Sequence, residues 1–209
     1  MYAIAKKQQG ALRGGMLVLV VIIGLIIAVG AMAVPTYNRL QGLDETVKAQ
    51  WSEVVNQYQR RADLIPNLVE VTKKYAAHEE AVFTQVAEAR SKVSAMNVSV
   101  DNLDAAKLQQ FQQAQGELGV ALSRLIAVSE SYPELKANTV FENLQTQLEG
   151  TENRITTARK RYIESVKDFN STVRRFPTNL VAKFAGLSVK PNFTVENEAA
   201  ISTAPKVQF

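Results

Sequence analysis

His78 and Glu79 are the one place in these 209 residues where an imidazole adjoins a carboxylate, because the chain has a single histidine. A helical zinc-hydrolase motif needs a second histidine four positions later, and that position is Val82. With no cysteine either, the chain has too few nitrogen and sulfur ligands for a transition-metal centre, and thiol nucleophiles and iron–sulfur clusters are excluded. Bundle di-metal sites use Glu-x-x-His on two helices, which one histidine cannot supply. The pairs Glu79/Glu80, Glu149/Glu152 and Asp101/Asp104 therefore read as solvated faces and helix starts. Ser52, Ser91 and Ser165 fall within helical pattern, away from any Gly-x-Ser-x-Gly turn. Gly14-Gly15 and the Gly116/Gly119 pair lack the Lys-Ser/Thr that completes a phosphate loop. The reading is non-enzymatic, with no catalytic, metal-binding or cofactor-binding residue assigned. An unrecognised metal-dependent hydrolase is the remote alternative.

The most pointed polar cluster is Arg60-Arg61-Ala62-Asp63, three residues before Pro66. Two roles suit it. One is a docking or self-association surface, where arginine pairs bidentately with carboxylates. The other is structural: Asp63 pairs with Arg60, or the pairing reaches another helix's carboxylate such as Glu152, and the joint is fixed. Arg60, Arg61, Asp63, Pro66, His78 and Glu79 are thus the candidate structural or partner surface, with the structural role favoured for the arginine cluster.

Positioning these residues falls to helices. From Gly14 to Val34 the chain reads GGMLVLVVIIGLIIAVGAMAV, without a charge. As a helix rising about 1.5 Å per residue it covers the roughly 30 Å of a bilayer's hydrocarbon. Lys6, Lys7 and Arg13 precede it, whereas Arg39 and Lys48 beyond it are offset by Asp44 and Glu45. That bias predicts a cytoplasmic N-terminus (residues 1–13), a spanning helix (14–34) in contact with lipid, and the rest outside the inner membrane. Ala31-Met32-Ala33 resembles a cleavage site, but the apolar run exceeds a signal peptide's usual core, so an uncleaved anchor is expected.

Beyond Pro35, Trp51, Val55, Tyr58, Ala62, Ile65 and Val69 recur at helical spacing, and Ala76, Phe83, Val86 and Val93 continue the face. Pro66 interrupts it. The chain is expected either to reverse near Asp63, with Pro66 opening a second helix, or to run on as one long helix kinked at Pro66; element lengths favour reversal. Asp101 is the expected N-cap of a helix carrying Leu108, Phe111, Leu118, Leu122 and Leu125. Thr139 with Glu142 suggests a capping box for a last stripe from Phe141 to Phe176. The fold class is therefore all-α: one transmembrane helix, then an antiparallel four-helix bundle over residues 35–186, or a three-helix bundle if the first helix only kinks. Residues 187–209 form a partly irregular tail. The composition, 46% hydrophobic and 21% charged with a net charge of +4, suits a folded protein and argues against a nucleic-acid partner.

Several runs go beyond helical pattern. Ala49-Gln50-Trp51-Ser52, the stretch from Gln59 to Val69, Tyr75-Ala76-Ala77-His78-Glu79, Tyr132 to Ala137, Leu148 to Ile155 and Arg175-Phe176-Pro177 together resemble the signature of the LemA family, from about Tyr37 to Phe193. The resemblance implies a membrane-anchored four-helix bundle of the bacterial envelope with no established catalysis. It also implies envelope partners such as a membrane peptidase, for which the chain would serve as adaptor or regulator. The favoured function is a scaffold or self-assembling structural protein at the inner membrane, a homo-oligomer because anchoring concentrates copies in two dimensions. The N-terminus is longer and more basic than the family pattern, and Asn56-Gln57-Tyr58 replaces a more aliphatic, acidic stretch.

Overall fold

The computed structural model describes residues 2–96 and 98–193, with side chains from Met16 onward except Asp101. Lys6, Lys7 and Arg13, on which the expected orientation rests, and tail residues 194–209 lie outside the described side chains. The described chain is all-helical, without strands.

Helix α1 runs unbroken from Tyr2 to Tyr75. From Met16 to Val34 its apolar side chains are exposed, as a lipid-facing surface must be. The same helix then enters the protein core at Leu40, with no linker between. From Met16 to Tyr75 it is 60 residues, about 90 Å at 1.5 Å per residue.

The chain does not reverse at Pro66. That residue lies inside α1, and the reversal comes ten positions later, at Ala76–Glu79. Proline has no N–H to give the carbonyl four residues back, which is that of Ala62. Arg90 replaces it: its Nε donates to the Ala62 oxygen at 3.3 Å. A side chain from the next helix thus satisfies the carbonyl that proline leaves open. Lys73 and Lys74 in the last turn suit the negative end of the helix.

Helix α2 (Glu80–Ser94) packs on α3 (Ala105–Ser131), while α1 packs chiefly on α5 (Thr139–Arg174). Two core clusters result. The distal one joins Ile65, Leu68, Phe83, Val86, Leu118, Leu122, Leu125, Phe141 and Leu148. The membrane-near one joins Leu40, Val47, Trp51, Tyr58, Leu108, Phe111, Tyr162, Val166 and Phe169. Helix α2 has only 15 residues, too short to descend as far as α5 with its 36. The connection after it completes the descent: Met96, Val98 and Val100 pack on the lower core, and the Trp51 indole donates to the Val98 carbonyl at 2.8 Å.

The N-caps differ from the expected ones. Asp104, not Asp101, caps α3, accepting from the Lys107 amide at 2.7 Å, while residue 101 sits in a single 3₁₀ turn (Val100–Asn102). Asn138, not Thr139, caps α5, accepting from the Val140 and Phe141 amides at 3.0 and 3.1 Å. The short α4 (Pro133–Lys136) fills the joint, with Leu135 buried.

Near the membrane end, α6 (Thr178–Phe184) packs against α1 and α5. It stops in a Schellman motif, with Leu187 N donating to Ala182 O at 2.9 Å and Gly186 N to Lys183 O at 3.3 Å. Gly186 takes φ +69°, open to glycine without strain. The turn sends the following residues back along α5, away from the membrane.

Candidate functional site

Arg61 is the centre of the polar structure. Its position on α1 belongs to the buried stripe that includes Trp51, Tyr58, Ile65 and Leu68, so the guanidinium is carried inward and the side chain is only 5% exposed. Nη1 donates to Glu152 Oε1 on α5 at 2.7 Å. Nη2 donates to the Gln115 carbonyl on α3 at 3.2 Å and to the same residue's side-chain oxygen. The guanidinium also stacks over the Tyr58 ring, 5.1 Å from its centroid. One cation therefore ties α1, α3 and α5 together. Two buried donors beside it, Arg61 Nε and Gln115 Nε2, have no partner among the described residues. Leaving such a donor unmade costs about 1–3 kcal/mol.

The other candidates separate from Arg61. Arg60 and Asp63 are exposed, and Asp63 accepts from Gln59 Nε2 at 2.8 Å. Pro66 is exposed on the same helix. His78 is exposed in the turn after α1, not within a helix, and Glu79 is the residue before α2, with Oε1 accepting from the Tyr132 hydroxyl at 3.3 Å. Of the six, only Arg61 enters a network reaching three helices among the described residues.

Over Arg61 and Gln115, α3 and α5 stand apart and leave an open groove of about 560 Å³, with Gly116, Gly119, Thr156 and Arg159 along its walls. The groove ends at Phe193. Its ring lies 6.0 Å from that of Trp51 and 5.5 Å from that of Tyr162, and the Arg159 guanidinium sits 4.5 Å over it. Burial pushes the Tyr58 phenol above its usual value, against the pull of Arg159 and Arg61. Burial likewise raises Tyr162, whose hydroxyl donates to the Pro191 carbonyl at 2.9 Å.

A second polar junction lies nearer the membrane. Asp44 is buried on α1, with Lys190 Nζ 2.7 Å from Oδ1 and Lys48 Nζ 3.2 Å from Oδ2. Burial alone would raise this carboxyl, but the hydrogen bonds and charges of Lys190 and Lys48 outweigh it and hold it below the usual range. Asn170 pairs reciprocally with the Lys190 backbone, both bonds at 2.8 Å.

Sequence reasoning missed Asp44, Gln115 and Lys190. For the first two a signal was present: Asp44 falls in step with Leu40 and Val47, and Gln115 with Phe111 and Leu118, polar types on otherwise apolar stripes. Lys190 had none. Among the described residues, no three His, Asp or Glu side chains gather where they could hold a metal ion.

These features define a class: an all-helical membrane protein whose buried polar groups link helices to one another, carried on a helix long and apolar enough to span a bilayer. The chain belongs to the LemA family, whose model matches residues 50–209. It is similar to magnetosome proteins MamQ 1 and MamQ 2 of Paramagnetospirillum magneticum, each 28% identical over 204 residues, covering 89% of this chain and 75% of theirs. It is also similar to the protein LemA of Metamycoplasma hominis, 26% identical over 147 residues, covering 70% of this chain and 60% of that one.

Proposed function

We propose that this protein is a non-enzymatic scaffold. It holds a stiff helical body at a set height and orientation on the extracytoplasmic face of a bacterial inner membrane, where copies associate laterally. The observation that carries the reading is the continuity of α1, which passes from its apolar segment into the core as one helix. A body on a flexible linker would sample many orientations. A helix without a joint transmits the direction of the membrane normal to the whole body, which is useful when neighbours must meet side to side. Confinement to a surface raises effective concentration and makes weak lateral contacts productive.

Cross-linking in intact cells, read by mass spectrometry, tests this. The scaffold reading expects links between copies of this chain through the sides of α2, α3 or α5. Links to a single foreign envelope protein, such as a membrane peptidase, with none between copies would replace it with the adaptor reading. The similarity to the MamQ proteins favours a second, narrower reading, a magnetosome protein. In a host that makes magnetosomes it expects the chain to be enriched with them on fractionation, and uniform recovery with the remaining membrane would exclude it.

A further inference from the structure

The end of the body nearest the membrane presents an apolar surface to its surroundings. Phe184 is 95% exposed, Phe176 80% and Leu180 51%, whereas the other described phenylalanines are buried or half-buried. The three recur every fourth position, so Leu180 and Phe184 share one side of α6, with Phe176 in the turn before it. Ala182, on the opposite side, is buried in the cluster that holds Leu40. The height of this surface follows from contacts already described. Asp44 stands ten residues beyond Val34 on α1, about 15 Å above the edge of the apolar run. Lys190 joins Asp44 to Asn170, which sets that level on α5. Arg174, four residues further down α5, is then about 9 Å above the edge, and Phe176 is lower still. The chain climbs again only after Gly186, so α6 is the base of the body. A bilayer's headgroup layer is about 5–7 Å deep on each side, and apolar faces of interfacial helices sink about 5–10 Å into that boundary.

We propose that Phe176, Leu180 and Phe184 insert into the headgroup layer of the membrane that α1 spans, with Arg174, Arg175 and Lys183 set against anionic lipid phosphates. Three observations favour lipid as the occupant. The surface lies at the level where the exposed apolar length of α1 ends, so it continues a lipid contact instead of starting a separate one. Arg174, Arg175 and Lys183 are exposed around it, and from Ser171 to Phe193 the sequence has no acidic residue. A basic stretch with protruding aromatic rings suits an anionic bilayer surface. Tyr37 adds a further aromatic at this height, 44% exposed and about 4.5 Å beyond Val34, as in the aromatic belts of membrane interfaces. The body then meets the bilayer at two places, α1 and α6, and a second contact fixes its tilt and its rotation about α1. The inference rests on α1 spanning the bilayer, and not on association between copies.

The absence of cysteine makes the test direct, because one label can be placed at a time. Leu180→Cys, Met32→Cys and Val140→Cys are made separately in the full-length protein and labelled with bimane. Met32 lies in the apolar run, and Val140 is exposed at the far end of α5. Each is reconstituted at one copy per nanodisc in phosphatidylglycerol containing doxyl-labelled phosphatidylcholine, which quenches only fluorophores that touch lipid. Quenching at 180 is expected to exceed that at 140 by about fivefold or more, and Phe176→Ser with Phe184→Ser to lower it about threefold. Replacing phosphatidylglycerol with phosphatidylcholine lowers it too, since Arg174, Arg175 and Lys183 lose their counter-charge. Quenching at 32 with none at 180 would overturn the proposal while leaving the anchor and the scaffold reading in place. Quenching at neither position would overturn it together with the anchor. Quenching at 180 that is indifferent both to the serine replacements and to lipid charge would overturn it as well. Shielding of 180 from aqueous iodide without quenching by lipid, seen only in discs with two or more copies, would do the same and assign the surface to a second copy.

Discussion

Arg61 and Glu152 are unequal partners, and the inequality can be measured. Arg61 is 5% exposed and Glu152 47%. Truncating Glu152 leaves a guanidinium in the core without its counter-charge, whereas replacing Arg61 together with its buried partner Gln115 by apolar side chains releases a carboxylate that rehydrates where it stands. Glu152→Ala should therefore cost about 3 kcal/mol by denaturant unfolding, and Arg61→Met combined with Gln115→Leu, which keeps the volume and removes the orphaned Nε and Nε2 together, about 1 kcal/mol or less. The reverse order would mean that the pair is not what holds Arg61 inward. Asp44 carries a pH dependence. Its folded value lies below the ordinary 3.8, so its contribution is complete above that value and is lost as pH falls through the folded one. Asp44→Asn should lower stability at pH 7 and flatten its decline below about pH 4. An unchanged acid limb would remove Asp44 from the account.

At the scale of elements, the apolar stripes were legible and the joints were not. Trp51, Tyr58, Ile65, Phe83, Leu108, Phe111, Leu118 and Tyr162 are all buried, as helical spacing requires. Phe176, placed on the last stripe, is 80% exposed, because α5 ends at Arg174. The reversal at Ala76–Glu79 has no glycine or proline to mark it, and Ala76 and Phe83 keep the hydrophobic phase across it. Pro66 looked like the reversal because proline's cost in a helix is local, whereas its remedy, Arg90, comes from a different element. That remedy predicts a coupling. Arg90→Ala should cost about 1.5 kcal/mol in the native background and close to nothing once Pro66→Ala supplies the missing N–H. Equal costs in both backgrounds, measured as a double-mutant cycle, would show that Arg90 acts elsewhere.

At the scale of the molecule, the spanning segment and the all-helical body were readable from composition and period, but their rigid union was not. Pro35 looks like a boundary, yet α1 passes through it. A continuous helix turns about 100° and rises about 1.5 Å per residue, so alanines inserted after Thr36 rotate the whole body relative to the membrane without touching either core. Two insertions turn it by about 200° and present the opposite side to neighbours. Seven return it to within about 20° of the starting direction, although about 10 Å higher. If lateral association depends on which face is presented, cross-links between copies should fall with two inserted residues and recover with seven. A flexible Gly-Ser insertion of the same length should not restore them. A yield that declines steadily with length, without return at seven, would mean that height matters and orientation does not. Indifference to every insertion would mean that α1 is only a tether, and that its continuity carries no function.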